Sequence, residues 1–254
     1  MRGVSVTRPD PTRPRHVLLV DAVVWSPAYP PATPLRDVRQ WFARWLDGLP
    51  GLRLTRIAAE DDLLGAVREN VDGVILSGSP RDAWADDPVN ERLCQLVVHC
   101  RDHALPFLGV CYGHQILGRA LGGTVTRHPA GLELGNTSVT LTAAGLASPL
   151  FAGFPARFEV LSSHADVVLT LPADAEVLVR GAFTEIQGFQ CGLSLYGVQF
   201  HPETDPDTLR FLWSVRRQAW RSRVSFDLDH VLDHLQPAPL AATVLRNFVT
   251  RIVT

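Results

Sequence analysis

Short apolar runs alternate with stretches of helical spacing along the first half of the chain. Residues 16–24, HVLLVDAVV, read as a strand buried on both faces. A Pro-rich loop at 26–34 follows. Leu35, Val38, Phe42, Trp45 and Leu46 then recur at the spacing of an amphipathic helix over 35–46. LRLTRI at 52–57 alternates as a strand, residues 59–70 are helical in pattern, and VDGVILSGSP at 71–80 is a strand ending in a tight Gly/Ser turn. A helix opens near Pro88, and LPFLGV at 105–110 is another strand, followed at once by helical spacing from Ile116 to Leu121. This rhythm predicts an α/β fold with a central, mostly parallel sheet flanked by helices on both faces. Between 124 and 200 the strands crowd together, which predicts hairpins or a small additional β region. Residues 205–220 and 239–252 return to helical spacing. The Arg- and Pro-rich residues 1–15 read as a disordered arm. Residues 16–254 read as a single domain with a C-terminal helical extension.

Composition narrows the chemistry. The formal charge is −2, so no strong field draws nucleic acid or an anionic membrane surface. All 24 basic residues are arginine, which excludes a Schiff-base lysine and a lysine-bearing phosphate loop. No run of about 18 apolar residues suggests a membrane span. Cys94, Cys100, Cys111 and Cys191 form no C-x-x-C pair, and free thiols in a reducing, cytoplasmic setting are expected.

One cysteine stands apart. GVCYG at 109–113 places Cys111 between a buried strand and a helix, with Gly109 and Gly113 two residues away on each side. The serine form of this pattern is a nucleophile elbow, a strained turn that lifts the side chain above the sheet's C-terminal edge. The N–H groups of the following helix favour negative charge there. Taken alone, Cys111 could equally be a buried structural thiol. A thiol nucleophile needs a base and the base an orienting group. YGVQFHPE at 196–203 is a strand broken by Pro202, which delivers His201 and Glu203 to the same rim.

The segments SGSP (77–80), GVCYGHQ (109–115), SSHAD (162–166) and YGVQFHPE (196–203), in this order, resemble the class I, triad-bearing glutamine amidotransferases. Within these the chain is similar to stand-alone relatives of the GMP synthetase glutaminase domain, over about residues 16–215. The resemblance implies a flavodoxin-like α/β fold and a triad of Cys111 as nucleophile, His201 as acid and base, and Glu203 as orienter. It implies that Gln115 helps hold the substrate, and that Ser163, His164, Ala165 and Asp166 recognise its amino and carboxylate ends. The family's oxyanion loop reads G-G-P or G-P-G, whereas this chain has Gly78–Ser79–Pro80. The donated group is a backbone N–H, so the hole is assigned to Ser79 and Tyr112, with Gly78 making the turn.

The implied activity is cleavage of the glutamine side-chain amide through a cysteinyl thioester, with no metal or organic cofactor. Ammonia would pass to a synthetase partner, because the roughly 50 residues after HPE are too few for an ATP-using domain. A second reading keeps the triad and takes other γ-glutamyl peptides or amides. A third is a non-catalytic binding or regulatory subunit, against which the intact Cys/His/Glu set argues. His99/His103 and His230/His234 have i, i+4 spacing but lack a third ligand, so they read as solvated or capping histidines. The tryptophans read as core or interface residues. Arg216, Arg217, Arg221 and Arg223 read as a solvated face, with a docking patch for an acidic partner as the alternative.

Overall fold

The computed structural model describes residues 13–253 except Glu69; most of the expected N-terminal arm, residues 1–12, lies outside the described residues. Arg13 is paired with Asp72, its Nη1 donating to Oδ2 at 2.9 Å. The alternating half consists of β1 (Arg15–Asp21), α1 (Val38–Leu46), β2 (Leu52–Ala58), α2 (Leu63–Ala66), β3 (Gly73–Leu76), α3 (Pro88–Asp102), β4 (Phe107–Val110) and α4 (Tyr112–Ala120). Then come β5 (Thr124–Arg127), β6 (Glu133–Leu141), α5 (Ala143–Ala147), β7 (Arg157–His164), β8 (Asp166–Thr170), β9 (Ala175–Gly181), β10 (Ile186–Cys191) and β11 (Leu195–Val198). Helices α6 (Pro206–Ser214), α7 (Arg217–Trp220), α8 (Leu228–Asp233) and α9 (Thr243–Asn247) follow.

Nine strands form one sheet in the order β2-β1-β3-β4-β11-β10-β9-β6-β7. The first five are mutually parallel, and β10, β9, β6 and β7 extend the sheet antiparallel. The expected mixed architecture is thus present, with a refinement. Most of the late strands widen the main sheet, and β5 pairs only with β8 in a separate two-stranded sheet.

Alternation along β1 feeds two cores. Val17 and Leu19 face one layer with Val38 and Phe42 of α1 and Leu245 of α9, while Leu18 and Val20 face the other with Leu93 of α3 and Ile116 of α4. Strands β3, β4 and β11 are buried at every residue, as strands covered on both faces must be.

Four local expectations are corrected. The helix expected over 59–70 shrinks to α2, because Asp62 caps it by accepting the Gly65 N–H at 3.0 Å and so starts the helix late. The helix expected over 205–220 breaks between α6 and α7 at Val215 and Arg216. The segment 239–252 divides into a 3-10 turn, α9 and a π turn. Strand β8, which begins inside the SSHAD segment, has no counterpart in the hydrophobic pattern reading. Among the described residues no helix is long and apolar enough to cross a membrane.

Candidate active site

The chain crosses the sheet edge at Cys111. Val110 and Cys111 pack into one core and Tyr112 into the other. Cys111 sits at φ 52°, ψ −103°, a left-handed conformation that costs a non-glycine residue about 1–3 kcal/mol and persists only when its surroundings enforce it. The enforcement is visible. The Cys111 N–H donates to the Val198 carbonyl at 2.8 Å, and its own carbonyl accepts the Gln115 N–H at 3.1 Å. A Cβ on Gly109 would lie 2.3 Å from the Gly113 carbonyl oxygen, and one on Gly113 would lie 2.5 Å from that of Leu76. Strand, elbow and helix therefore approach so closely that only glycine fits on either side of the cysteine.

His201, the residue expected as base, follows the neighbouring strand β11. His201 is fixed by its N–H to the Leu161 carbonyl, 2.9 Å, and its Nδ1 lies 2.8 Å from Glu203 Oε1. That bond leaves Nε2 as the free ring nitrogen. A Cβ built on Gly78 would be 3.0 Å from His201 Cε1 and 3.6 Å from Cys111 Cβ, so the histidine and the cysteine flank the same glycine. Burial works against charge on His201, but the Glu203 carboxylate and the Cys111 sulfur outweigh it and hold the imidazole well above its usual pKa. Burial pushes the other thiols up, Cys94 to about 11 and Cys100 and Cys191 to about 12.

The expected oxyanion loop lies beside the sulfur. Ser79 turns its hydroxyl away, donating to the Ala22 carbonyl at 2.7 Å and accepting the Arg81 N–H at 3.1 Å. That leaves its backbone as the part of Ser79 beside the cavity. Tyr112 follows Cys111, and its buried hydroxyl bonds Asn90 Oδ1. Asn90 in turn donates to the Asp82 and Ala85 carbonyls, both at 2.9 Å, which ties the 79–87 loop to α3.

A cavity of about 150 Å³ opens next to Cys111, lined among others by Gln115, Arg127, Ser163, Asp166 and Arg216. Gln115 Nε2 donates to the Asp166 carbonyl at 2.8 Å. Ser163 Oγ accepts Trp213 Nε1 at 2.9 Å. Asp166 is paired with Arg127 Nε at 3.1 Å and accepts Trp84 Nε1 at 3.2 Å. Burial pushes the Asp166 carboxyl up to about 6, with Arg127 pulling down and Asp82 adding to the rise. His164 lines the cavity, yet both ring nitrogens are engaged, Nε2 with Glu133 Oε2 at 2.9 Å and Nδ1 with the Asp166 carbonyl at 3.1 Å. Burial would raise the Glu133 carboxyl, but His164, Thr184 and Gln187 hold it below the usual range.

Several of these residues escaped the sequence reading. Arg44 Nη2 and Trp45 Nε1 both donate to the Glu203 carbonyl, at 2.8 and 3.0 Å, so α1 holds Glu203 in place. Arg127, Trp84 and the buried Glu133 carried no motif; a buried carboxylate announces itself only once its burial is seen. His114, within GVCYGHQ, lies away from the cavity. It is wholly buried against Gly197 and Phe189, and burial pushes its pKa down to about 3, which keeps it neutral. His103 and His234 stand at the C-terminal caps of α3 and α8. Of the arginine cluster, Arg217 and Arg221 pair with Asp229 on α8, whereas Arg216 faces the cavity.

Comparison with known proteins bears on the family and the fold. The chain is 38% identical over 144 residues to a GMP synthase [glutamine-hydrolyzing] of Aeropyrum pernix, a match covering 56% of this chain and 26% of that protein. It is 34% identical over 143 residues to gamma-glutamyl peptidase 5 of Arabidopsis thaliana, covering 56% of this chain and 57% of the relative. The chain thus spans about a quarter to a little over half of the curated relatives it matches. Its fold is similar to that of a glutamine amidotransferase from Thermotoga maritima, at TM-score 0.72 and 23% identity over 94% of this chain and 98% of that one. A glutamine amidotransferase from Methylobacillus flagellatus superimposes at TM-score 0.73 and 19% identity, over 93% and 94% of the two chains. Residues 51–210, which hold Cys111, His201 and Glu203, match the family model described as glutamine amidotransferase class-I, and the chain belongs to that family.

Proposed function

We propose that this chain hydrolyses the side-chain amide of glutamine by way of a cysteinyl thioester, releasing ammonia to an acceptor enzyme of the synthetase kind. The observation that carries this reading is the strained Cys111 elbow, which shares Gly78 as a contact with a His201 already oriented by Glu203. The Cys111 sulfur attacks the amide carbon, forming the S–C bond. The carbonyl oxygen becomes an oxyanion facing the N–H groups of Ser79 and Tyr112. As the C–N bond breaks, His201 gives its proton to the departing nitrogen. Water then enters, His201 takes a proton from it, and the hydroxyl displaces the sulfur to leave glutamate. The carboxylate of Asp166 suits the substrate's α-ammonium and the guanidinium of Arg127 its α-carboxylate, with Gln115 holding the Asp166 backbone.

A second reading has a specific observation behind it. Space continues on the His201 side of the sulfur, where the leaving nitrogen must sit. A small chamber lined by Val23, Trp41, His201 and Leu212 adjoins an open depression of about 340 Å³ through Pro80 and Arg216. Ammonia needs no such room, whereas a larger amine does, so γ-glutamyl peptides or amides suit the same triad.

Amine release from glutamine, γ-glutamyl peptides and γ-glutamyl amines, measured without a partner, tests both readings. The wild type should release ammonia or amine, and Cys111→Ala should lose about a thousandfold or more while remaining folded. A glutamine-like diazo-ketone should label the peptide carrying GVCYGHQ. Near wild-type turnover by Cys111→Ala, or labelling chiefly at Cys191, would overturn the assignment.

A further inference from the structure

Arg216 occupies the break between α6 and α7 that the hydrophobic pattern does not announce. It is half-buried and borders all three spaces around the nucleophile: the cavity with Gln115 and Asp166, the small chamber with His201, and the open depression with Tyr29 and Trp220. Its neighbours in sequence are neutralised. Arg217 pairs with Asp229 and Asp233, and Arg221 with Asp229. Among the described residues no Asp or Glu side chain forms an ion pair with Arg216. Beside it lies the Tyr29 phenol, which burial raises and which the charge of Arg216 and a hydrogen bond from it pull back down, so one donor of the guanidinium is turned to Tyr29. A guanidinium without a carboxylate, turned toward a reaction chamber, has its charge and its remaining donors available to a ligand anion.

The reaction fixes which end of the substrate that anion can belong to. Asp166 and Arg127 lie in the first cavity, and neither reaches the small chamber. His201 lies in the small chamber and must protonate the departing nitrogen, so the leaving amine projects to that side. Beyond it stand Arg216 and the open depression.

We propose that Arg216 binds a carboxylate carried by the leaving amine, so that the site selects γ-glutamyl amino acids and peptides over simple amides. This rests on the second reading above, in which γ-glutamyl peptides or amides, rather than glutamine, are the substrates. The bonds made and broken are those already described; only the leaving group changes, from ammonia to the α-amino group of an amino acid whose carboxylate the guanidinium holds. The depression past Arg216 then receives that amino acid's side chain or the remainder of a peptide.

The test compares γ-glutamylglycine with γ-glutamylmethylamide, which differ only by the carboxylate. The wild-type enzyme should favour γ-glutamylglycine in kcat/KM. Arg216→Gln should cut that preference about 10- to 100-fold, equivalent to about 1.4–2.8 kcal/mol at 1.4 kcal/mol per tenfold. Arg216→Lys, which keeps the charge and loses the fork, should retain a measurable part of it. Arg216→Glu should turn the preference toward γ-glutamyl derivatives of diamines. An unchanged ratio in Arg216→Gln overturns the proposal. An equal fall on both substrates also overturns it, because the arginine would then read the glutamyl end. If the wild type cleaves neither compound, whether or not it cleaves glutamine, the γ-glutamyl peptide reading itself fails and takes this assignment with it; cleavage of both without preference defeats the Arg216 assignment alone.

Discussion

Replacing Gly78 with alanine inserts one methyl group between the base and the nucleophile. The new Cβ would lie 3.0 Å from His201 Cε1 and 3.6 Å from Cys111 Cβ. Carbon atoms in comfortable contact stand about 3.5–4.0 Å apart, so the imidazole must retreat by about 0.5 Å. Its freedom to do so is small. The His201 N–H is held by the Leu161 carbonyl and its ring by Glu203, whose backbone is gripped by Arg44 and Trp45. The ring will therefore tilt about those anchors, which moves Nε2 relative to the sulfur. A 1 Å misplacement costs up to about a hundredfold in rate, so half of that predicts about a tenfold fall in kcat/KM, or about 1.4 kcal/mol. The fold should tolerate the change. Gly78 does not have a positive φ, and the reduced freedom of the unfolded chain returns about 0.4–1 kcal/mol. The assay pairs kcat/KM for glutamine or γ-glutamylglycine with the urea midpoint, and adds the rate of Cys111 alkylation by iodoacetamide as a readout independent of substrate. A variant with unaltered stability, turnover within twofold of wild type and unaltered alkylation would refute the argument that His201 works while packed against Gly78.

Two further substitutions probe charge. Glu203→Gln should lower the His201 pKa toward its ordinary value, because the carboxylate is a principal cause of its rise. A histidine raised in the folded state contributes stability that is full below its unfolded value, about 6.5, and lost as pH climbs through the folded one. The wild type's stability advantage over Glu203→Gln should therefore shrink as pH rises above neutrality, measured by urea unfolding; an advantage that grows would contradict the ion pair. Asp166→Asn addresses the substrate end. With the wild-type carboxyl near 6, its charged form empties as pH falls below that value, so KM should rise toward acid pH in the wild type. In Asp166→Asn the KM should be higher throughout and lose that dependence, and a persistent acid limb would assign it to another group.

The sequence alone determined the alternation of buried strands and helices and the parallel core, and it singled out Cys111, His201 and Glu203 as one candidate set, because each is local chemistry. Period-2 and period-3.6 patterns report burial, and GVCYG declares that glycine is required on both sides of Cys111. The structure supplies the reason, in the 2.3 Å and 2.5 Å approaches that any Cβ would make at Gly109 and Gly113. What it could not determine was the company of these groups across long separations. Glu203 is held by α1, some 160 positions away, through donors that are merely a tryptophan and an arginine on an amphipathic helix. His164, expected at the substrate, lines the cavity and also engages Glu133, a buried partner that no motif announces. Arg216 looked like one member of a solvated cluster, until the break between α6 and α7 turned it to the cavity while its neighbours met α8. Four arginines within eight positions are equivalent by composition. Tertiary packing alone decides which of them finds an aspartate and which is left facing the nucleophile, because the energy of a charge depends on its surroundings and those surroundings come from distant parts of the chain.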